Sequence, residues 1–85
     1  MSAQIRMYST AVCPFCIRAE RLLTARGAVS IEKLRVDLDA ALRDEMVQIT
    51  GRRTVPQIFI DGVHVGGFEE LAALDREGKL PEMLR

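Results

Sequence analysis

An α/β fold with a mixed four-stranded sheet and flanking helices is what this sequence predicts, on three observations. A period-two segment near the N-terminus runs into a helical stripe and then a second strand, which is a βαβ unit. Asp61-Gly62 stands between short apolar runs and signals a tight hairpin. A helical pattern then closes the chain, so the order reads β-α-β-α-β-β-α. The βαβ half calls for parallel pairing with a right-handed crossover, the hairpin half for antiparallel pairing. Helices on both faces of such a sheet accommodate both.

The elements follow in order. Gln4 to Ser9, "QIRMYS", alternates apolar and polar, with Ala3, Ile5 and Met7 on one face. Phe15 to Arg26 carries Phe15, Ala19, Leu22 and Leu23 at helical spacing. Pro14 suits its first turn, where the missing N–H is not needed, and Gly27 ends it. Ser30 to Val36 reads as a strand whose Ile31, Leu34, Val36 pattern slips register. Asp39 caps a helix over Ala40 to Thr50, closed by Gly51. Gln57 to Ile60 and Val63 to Val65 form the hairpin. Gly66-Gly67 breaks the return strand, Phe68 to Glu77 reads as a helix ended by Gly78, and Lys79 to Arg85 supplies a last turn.

Eighty-five residues make one domain spanning residues 1–85, and 48% apolar residues suffice for a modest core. Twelve basic and twelve acidic residues cancel, which argues against a strongly basic nucleic-acid binder or a polybasic membrane module. No apolar run approaches the roughly 20 residues of a membrane span, and "MSAQIRMYST" lacks the apolar core of a signal peptide. A cytoplasmic monomer, with no membrane or nucleic-acid partner, is the expectation.

The chemistry lies in "AVCPFCIR", which holds both cysteines, Cys13 and Cys16. Cys13 falls between the first strand and the first helix, and Cys16 sits one turn in. A sulfur at a helix N-terminus meets free N–H groups and the positive end of the macrodipole, which favours thiolate. Thiols so placed ionise at roughly 3.5 to 7.5, against about 8.5 for a free cysteine. Cys13 is therefore the expected nucleophile and Cys16 the more buried, resolving thiol. Arg18 and Arg21 add positive charge that solvent largely screens.

Other readings of the pair carry less weight. A structural disulfide would close so short a loop that it would barely restrict the unfolded chain. Closed zinc sites take about four ligands, and the chain offers two thiols and one histidine, His64. No intramolecular metal site is expected, although a metal or cluster shared between two chains would be possible. CxxC beside a βαβ pattern is the expected setting of thiol–disulfide chemistry.

"CPFC" after a first strand, "TVP" before a third and "GGFEEL" after a hairpin together resemble the glutaredoxins of the small bacterial type, across essentially the whole chain. The resemblance implies a thioredoxin-like fold. It implies a glutathione-dependent thiol–disulfide oxidoreductase in which Cys13 attacks and Cys16 resolves. Protein–glutathione mixed disulfides and protein disulfides would be the substrates, glutathione the co-substrate, and no cofactor would be tightly bound. Typical potentials of such proteins, roughly −200 to −230 mV, let the glutathione pool recycle the pair.

Position by position, the resemblance implies a cis Pro56, although Pro56 by itself reads as an ordinary trans residue opening a strand. In "TVP", Thr54 to Pro56, the backbone of Val55 would then pair with glutathione's cysteinyl residue. Gly67 allows close approach, and N–H groups at Phe68 and Glu69 can bind the γ-glutamyl carboxylate. Glu69 or Glu70 could receive the ligand's ammonium, or simply stabilise the helix dipole. Arg52 matches a basic position that can meet a glutathione carboxylate, or is a solvated loop charge; Arg53 is exposed. Phe15 stands where the family usually has Tyr. Thr10, which can hydrogen-bond to glutathione but carries no charge, stands where it often has Lys, and Val12 where it often has a polar residue, so binding of the glycine carboxylate is either weaker or rests more on Arg52. These departures keep open a redoxin recycled by thioredoxin reductase. A non-enzymatic module holding an iron–sulfur cluster between two chains is the rival of another class. His64, on the return strand, reads as a surface histidine.

Overall fold

The computed structural model describes residues 3–85. It comprises β1 (Ile5–Ser9), α1 (Pro14–Ala25), β2 (Ile31–Arg35), α2 (Ala40–Thr50), β3 (Gln57–Ile60), β4 (Val63–Gly66), α3 (Phe68–Arg76) and α4 (Leu80–Met83). The strands lie in the order β2-β1-β3-β4. β1 runs parallel to β2, with Ile5 opposite Ile31, and antiparallel to β3, with Met7 opposite Ile58. The expected order and mixed pairing are both present. Boundaries shift by a residue or so: α1 starts at Pro14, β2 is shorter at each end, and α3 stops at Arg76.

Alternation on β1 sends side chains to opposite faces. Ile5 and Met7 join Ala19 and Leu23 of α1, Ile58 and Ile60 of β3, and Leu71 of α3 in the larger core cluster. Tyr8 points the other way, to Val36 and to Met46 of α2. Helices therefore cover both faces of the sheet. The sequence reading assigned β1 a single apolar face, but a central strand covered on both sides buries both. The Tyr8 hydroxyl is buried without a hydrogen-bond partner. Burial, reinforced by the nearby Glu45 carboxylate, pushes its pKa up.

The buried stripe of α1 is Cys16, Ala19 and Leu23, at spacings of three and four. Phe15, counted in the helical stripe, is instead about half exposed, as is Ile17. They lie on opposite flanks of the buried stripe, Phe15 toward the groove and Ile17 toward the crevice next to β2.

The loop cues hold. Asp39 Oδ1 accepts the Ala41 N–H at 2.9 Å and caps α2. The hairpin turn has φ 50° at Asp61 and 80° at Gly62, both positive as a type I′ turn requires. Asp61 also exchanges hydrogen bonds with the backbone of Gln4 just ahead of β1, tying the turn to the sheet. Leu80 and Leu84 bury the last turn, and the Ala3 N–H donates to the Leu84 carbonyl, fastening the two ends of the described chain together.

Candidate active site

Cys13 is the N-cap of α1. Its backbone is extended (φ −148°, ψ 93°), and its Sγ accepts the Cys16 N–H at 3.1 Å. Pro14 occupies the first turn, and the Ile17 N–H to Cys13 carbonyl bond begins the helical ladder. One of the amides left free at a helix start is thereby aimed at sulfur. Cys13 and Cys16 are joined as a disulfide, with Cα atoms 5.2 Å apart. They are 7% and 5% exposed, so the expected difference in burial is marginal.

The loop that brings Cys13 here is anchored from β2 and the turn after it. The Val36 N–H donates to the Ser9 carbonyl at 3.0 Å. Asp37 Oδ2 accepts the Ala11 N–H at 3.2 Å, and its carboxylate receives Nε and Nη2 of Arg35 at 2.7 and 2.6 Å. The Arg35 guanidinium, more than the backbone donor, holds the Asp37 carboxyl well below the usual carboxylate range. Val12, just ahead of the nucleophile, is 90% exposed.

Beside the disulfide, the Val55–Pro56 peptide bond is cis. An open groove of about 220 Å³ runs past it, lined by Phe15, Arg52, Thr54, Val55, Pro56, Gly67, Phe68, Glu69 and Glu70. Eight of the nine residues named for ligand contact thus share one groove, the exception being Thr10. Thr10 lines a separate crevice of about 190 Å³ with Cys13, Cys16, Lys33 and Arg35, on the side of α1 next to β2. The leading loop turns it toward the parallel strand pair, and its hydroxyl donates to the Val12 carbonyl at 3.4 Å.

Glu70 has a definite job. Its Oε1 accepts the Gly67 N–H at 2.8 Å and lies 2.6 Å from Arg52 Nη1. A Glu at the third helical position reaching back to the cap residue is half of a capping box, and G-F-E-E carries that signal. These contacts, the backbone donor first and Arg52 second, lower the Glu70 pKa. Glu69 is exposed at the groove's rim. Arg52 is therefore neither a bare loop charge nor a fully free cation.

The sequence reading missed Asp37 and Arg35, because a clamp between a loop and a neighbouring strand leaves no periodic signal. It also discounted Arg18, whose guanidinium lies 4.7 Å from the centroid of the Phe68 ring and 5.6 Å from that of Phe15. His64 Nε2 sits 2.8 Å from Gln57 Oε1 and its ring stacks on Phe59, away from the disulfide. Among the described residues, no cluster of three or more His, Cys, Asp or Glu could hold a metal ion.

A cysteine pair at the N-terminus of the first helix, beside a cis-proline loop on a mixed sheet, defines a thiol–disulfide oxidoreductase of thioredoxin-like fold. The glutaredoxin family model matches residues 5–65. Glutaredoxin 3 of Escherichia coli K12 is 47% identical over 83 residues, covering 98% of this chain and 99% of that one. A Neisseria meningitidis glutaredoxin is 46% identical over 80 residues, covering 94% of each chain. Among solved structures, a buckwheat glutaredoxin–glutathione complex superimposes with a TM-score of 0.87 at 33% identity, over 96% of this chain and 76% of that one. A dithiolic glutaredoxin of Trypanosoma brucei brucei gives 0.86 at 42% identity, over 98% and 88%. The chain belongs to the glutaredoxin family. It is a glutathione-dependent thiol–disulfide oxidoreductase with a CPFC dithiol.

Proposed function

We propose that Cys13 is the attacking thiolate and that the groove beside it binds glutathione. The observation that carries this reading is the Cys16 N–H aimed at Cys13 Sγ at 3.1 Å, at the start of α1. The same amide and the helix dipole stabilise negative charge on that sulfur once the disulfide is reduced.

The reaction is a pair of exchanges. Cys13 thiolate attacks the glutathione sulfur of a protein–glutathione mixed disulfide. A Cys13–glutathione bond forms, the old S–S bond breaks, and the protein thiolate leaves and takes up a proton. A second glutathione, as thiolate, attacks the glutathione sulfur on Cys13, releasing glutathione disulfide and regenerating Cys13 thiolate. With a protein disulfide, Cys13 attacks one sulfur and expels the other. Cys16 then attacks Cys13, freeing the second protein thiol and leaving the Cys13–Cys16 disulfide. Two glutathione molecules reduce that disulfide by successive exchange and depart as glutathione disulfide.

In the groove, the backbone of Val55 beside Pro56 pairs with the cysteinyl residue of glutathione as an added strand would. Thr54 and Phe15 wall that segment. The N-terminus of α3, at Gly67, Phe68 and Glu69, receives the γ-glutamyl carboxylate, with Glu69 available to its ammonium. Arg52 meets the glycine carboxylate with only part of its charge, because Glu70 holds the rest. The protein carries no tightly bound cofactor and passes electrons from glutathione to disulfide-bonded proteins. Residues 1–85 act as one domain and as a monomer, in the reducing cytoplasm that glutathione recycling requires, with no nucleic-acid or membrane partner.

Purified protein should reduce a small glutathione mixed disulfide with glutathione as sole reductant. Cys13→Ser should abolish that turnover, and full activity in the variant would refute the assignment. Cys16→Ser should spare it while impairing reduction of protein disulfides.

A further inference from the structure

The aromatic pair at the mouth of the groove holds a cation that the glutathione chemistry leaves unused. Phe15 is 52% exposed, and its ring lies 6.1 Å from that of Phe68. Arg18, one turn along α1 from Phe15, sets its guanidinium over both rings, at 4.7 and 5.6 Å from their centroids. Exposed arginines normally sample many rotamers; stacking on two rings confines this one while the residue stays exposed to solvent. The cations that line the groove and the crevice on the disulfide are engaged: Arg52 by Glu70, Arg35 by Asp37 and Lys33 by Glu20. Among the described residues, Arg18 makes no ion pair. Val12 and Ile17, 90% and 49% exposed, add apolar surface on the segments either side of the cysteines.

A preorganised guanidinium next to exposed aromatic and aliphatic side chains, beside a reactive sulfur, fits a polypeptide carrying a carboxylate near its own reacting cysteine. We propose that Arg18 is a specificity-determining residue. On its Phe15–Phe68 platform it receives an acidic side chain flanking the substrate's glutathionylated cysteine while Cys13 attacks the glutathione sulfur. This rests on the reading of Cys13 given above and extends it to the class of protein partner. An arginine fork takes a carboxylate in bidentate fashion, so an acid is preferred over a neutral residue and a lysine is repelled.

The test uses two glutathionylated peptides, identical except for Glu or Lys flanking the modified cysteine, with release of glutathione followed at low ionic strength. The wild-type protein should favour the Glu peptide in kcat/KM by about 2- to 5-fold, the range of an exposed charge pair. The preference should shrink toward unity in about 0.5 M salt, where the Debye length is only a few ångströms. Arg18→Glu should invert it. Arg21→Glu, the same charge change one turn further along α1, should leave it close to wild type. Equal rates on both peptides in the wild-type protein, or equal shifts in the two variants, would overturn the role of Arg18 and leave that of Cys13 standing. Turnover of neither peptide would overturn the reading of Cys13 and, with it, this one.

Discussion

Glu70 bridges Arg52 and the start of α3, with its Oε1 2.6 Å from Arg52 Nη1 and 2.8 Å from the Gly67 amide. One carboxylate thus ties the groove's cation to the helix that forms the groove's far wall. Removing it changes both.

Glu70→Ala should lower stability by about 1 kcal/mol, the usual scale of a lost cap; solvent exposure of the pair keeps the figure at that level. The pH dependence has a definite sign. The folded state lowers the Glu70 pKa from 4.5, so its stabilisation is fully present above that value and disappears as pH falls through the depressed one. Thermal melts from neutral pH into acid should therefore show wild type falling more steeply below about pH 4.5 than Glu70→Gln. Parallel curves would contradict the linkage.

Gly66 has φ 118°, and a Cβ added there would run into Glu70 Oε1. Backbone and contact both oppose a side chain. Gly66→Ala should cost about 1–3 kcal/mol and displace Glu70, so a urea midpoint equal to wild type would show that the return strand can relax.

Asp37 is the acceptor that fixes Ala11, two residues ahead of the nucleophile. Asp37→Ala should loosen the loop and slow alkylation of Cys13 in the reduced protein several-fold. Asp37→Asn keeps an oxygen for the Ala11 N–H and should restore most of the rate. Rates of iodoacetamide reaction against pH would decide; equal loss in both variants would assign the effect to the lost charge instead.

Tyr8 buries a hydroxyl that finds no partner. An unpaired buried polar atom costs roughly 1–3 kcal/mol, so Tyr8→Phe should hold or raise the melting temperature. A drop would mean that the hydroxyl bonds Glu45 in solution.

Much of this protein is legible in one dimension because its cues are local. Asp39 and Gly51 bracket α2, whose bounds follow from the caps alone. Asp61-Gly62 sets the hairpin by the positive φ its turn needs. The half-exposed Phe15 and the doubly buried β1 are not legible, since which face of an element is covered depends on what packs against it.

The sequence by itself determined the order of elements, the placing of Cys13 at a helix start and the glycines that break the chain. Propensity, capping and backbone sterics act within a few residues, so a short string encodes them. Only the tertiary structure decided that Arg52 shares its charge with Glu70, that Thr10 lines the crevice next to β2, that Asp37 pins the nucleophile's loop and that Arg18 rests on two rings. Each joins side chains from different elements, and their distances exist only once the sheet and its helices have closed around a common core.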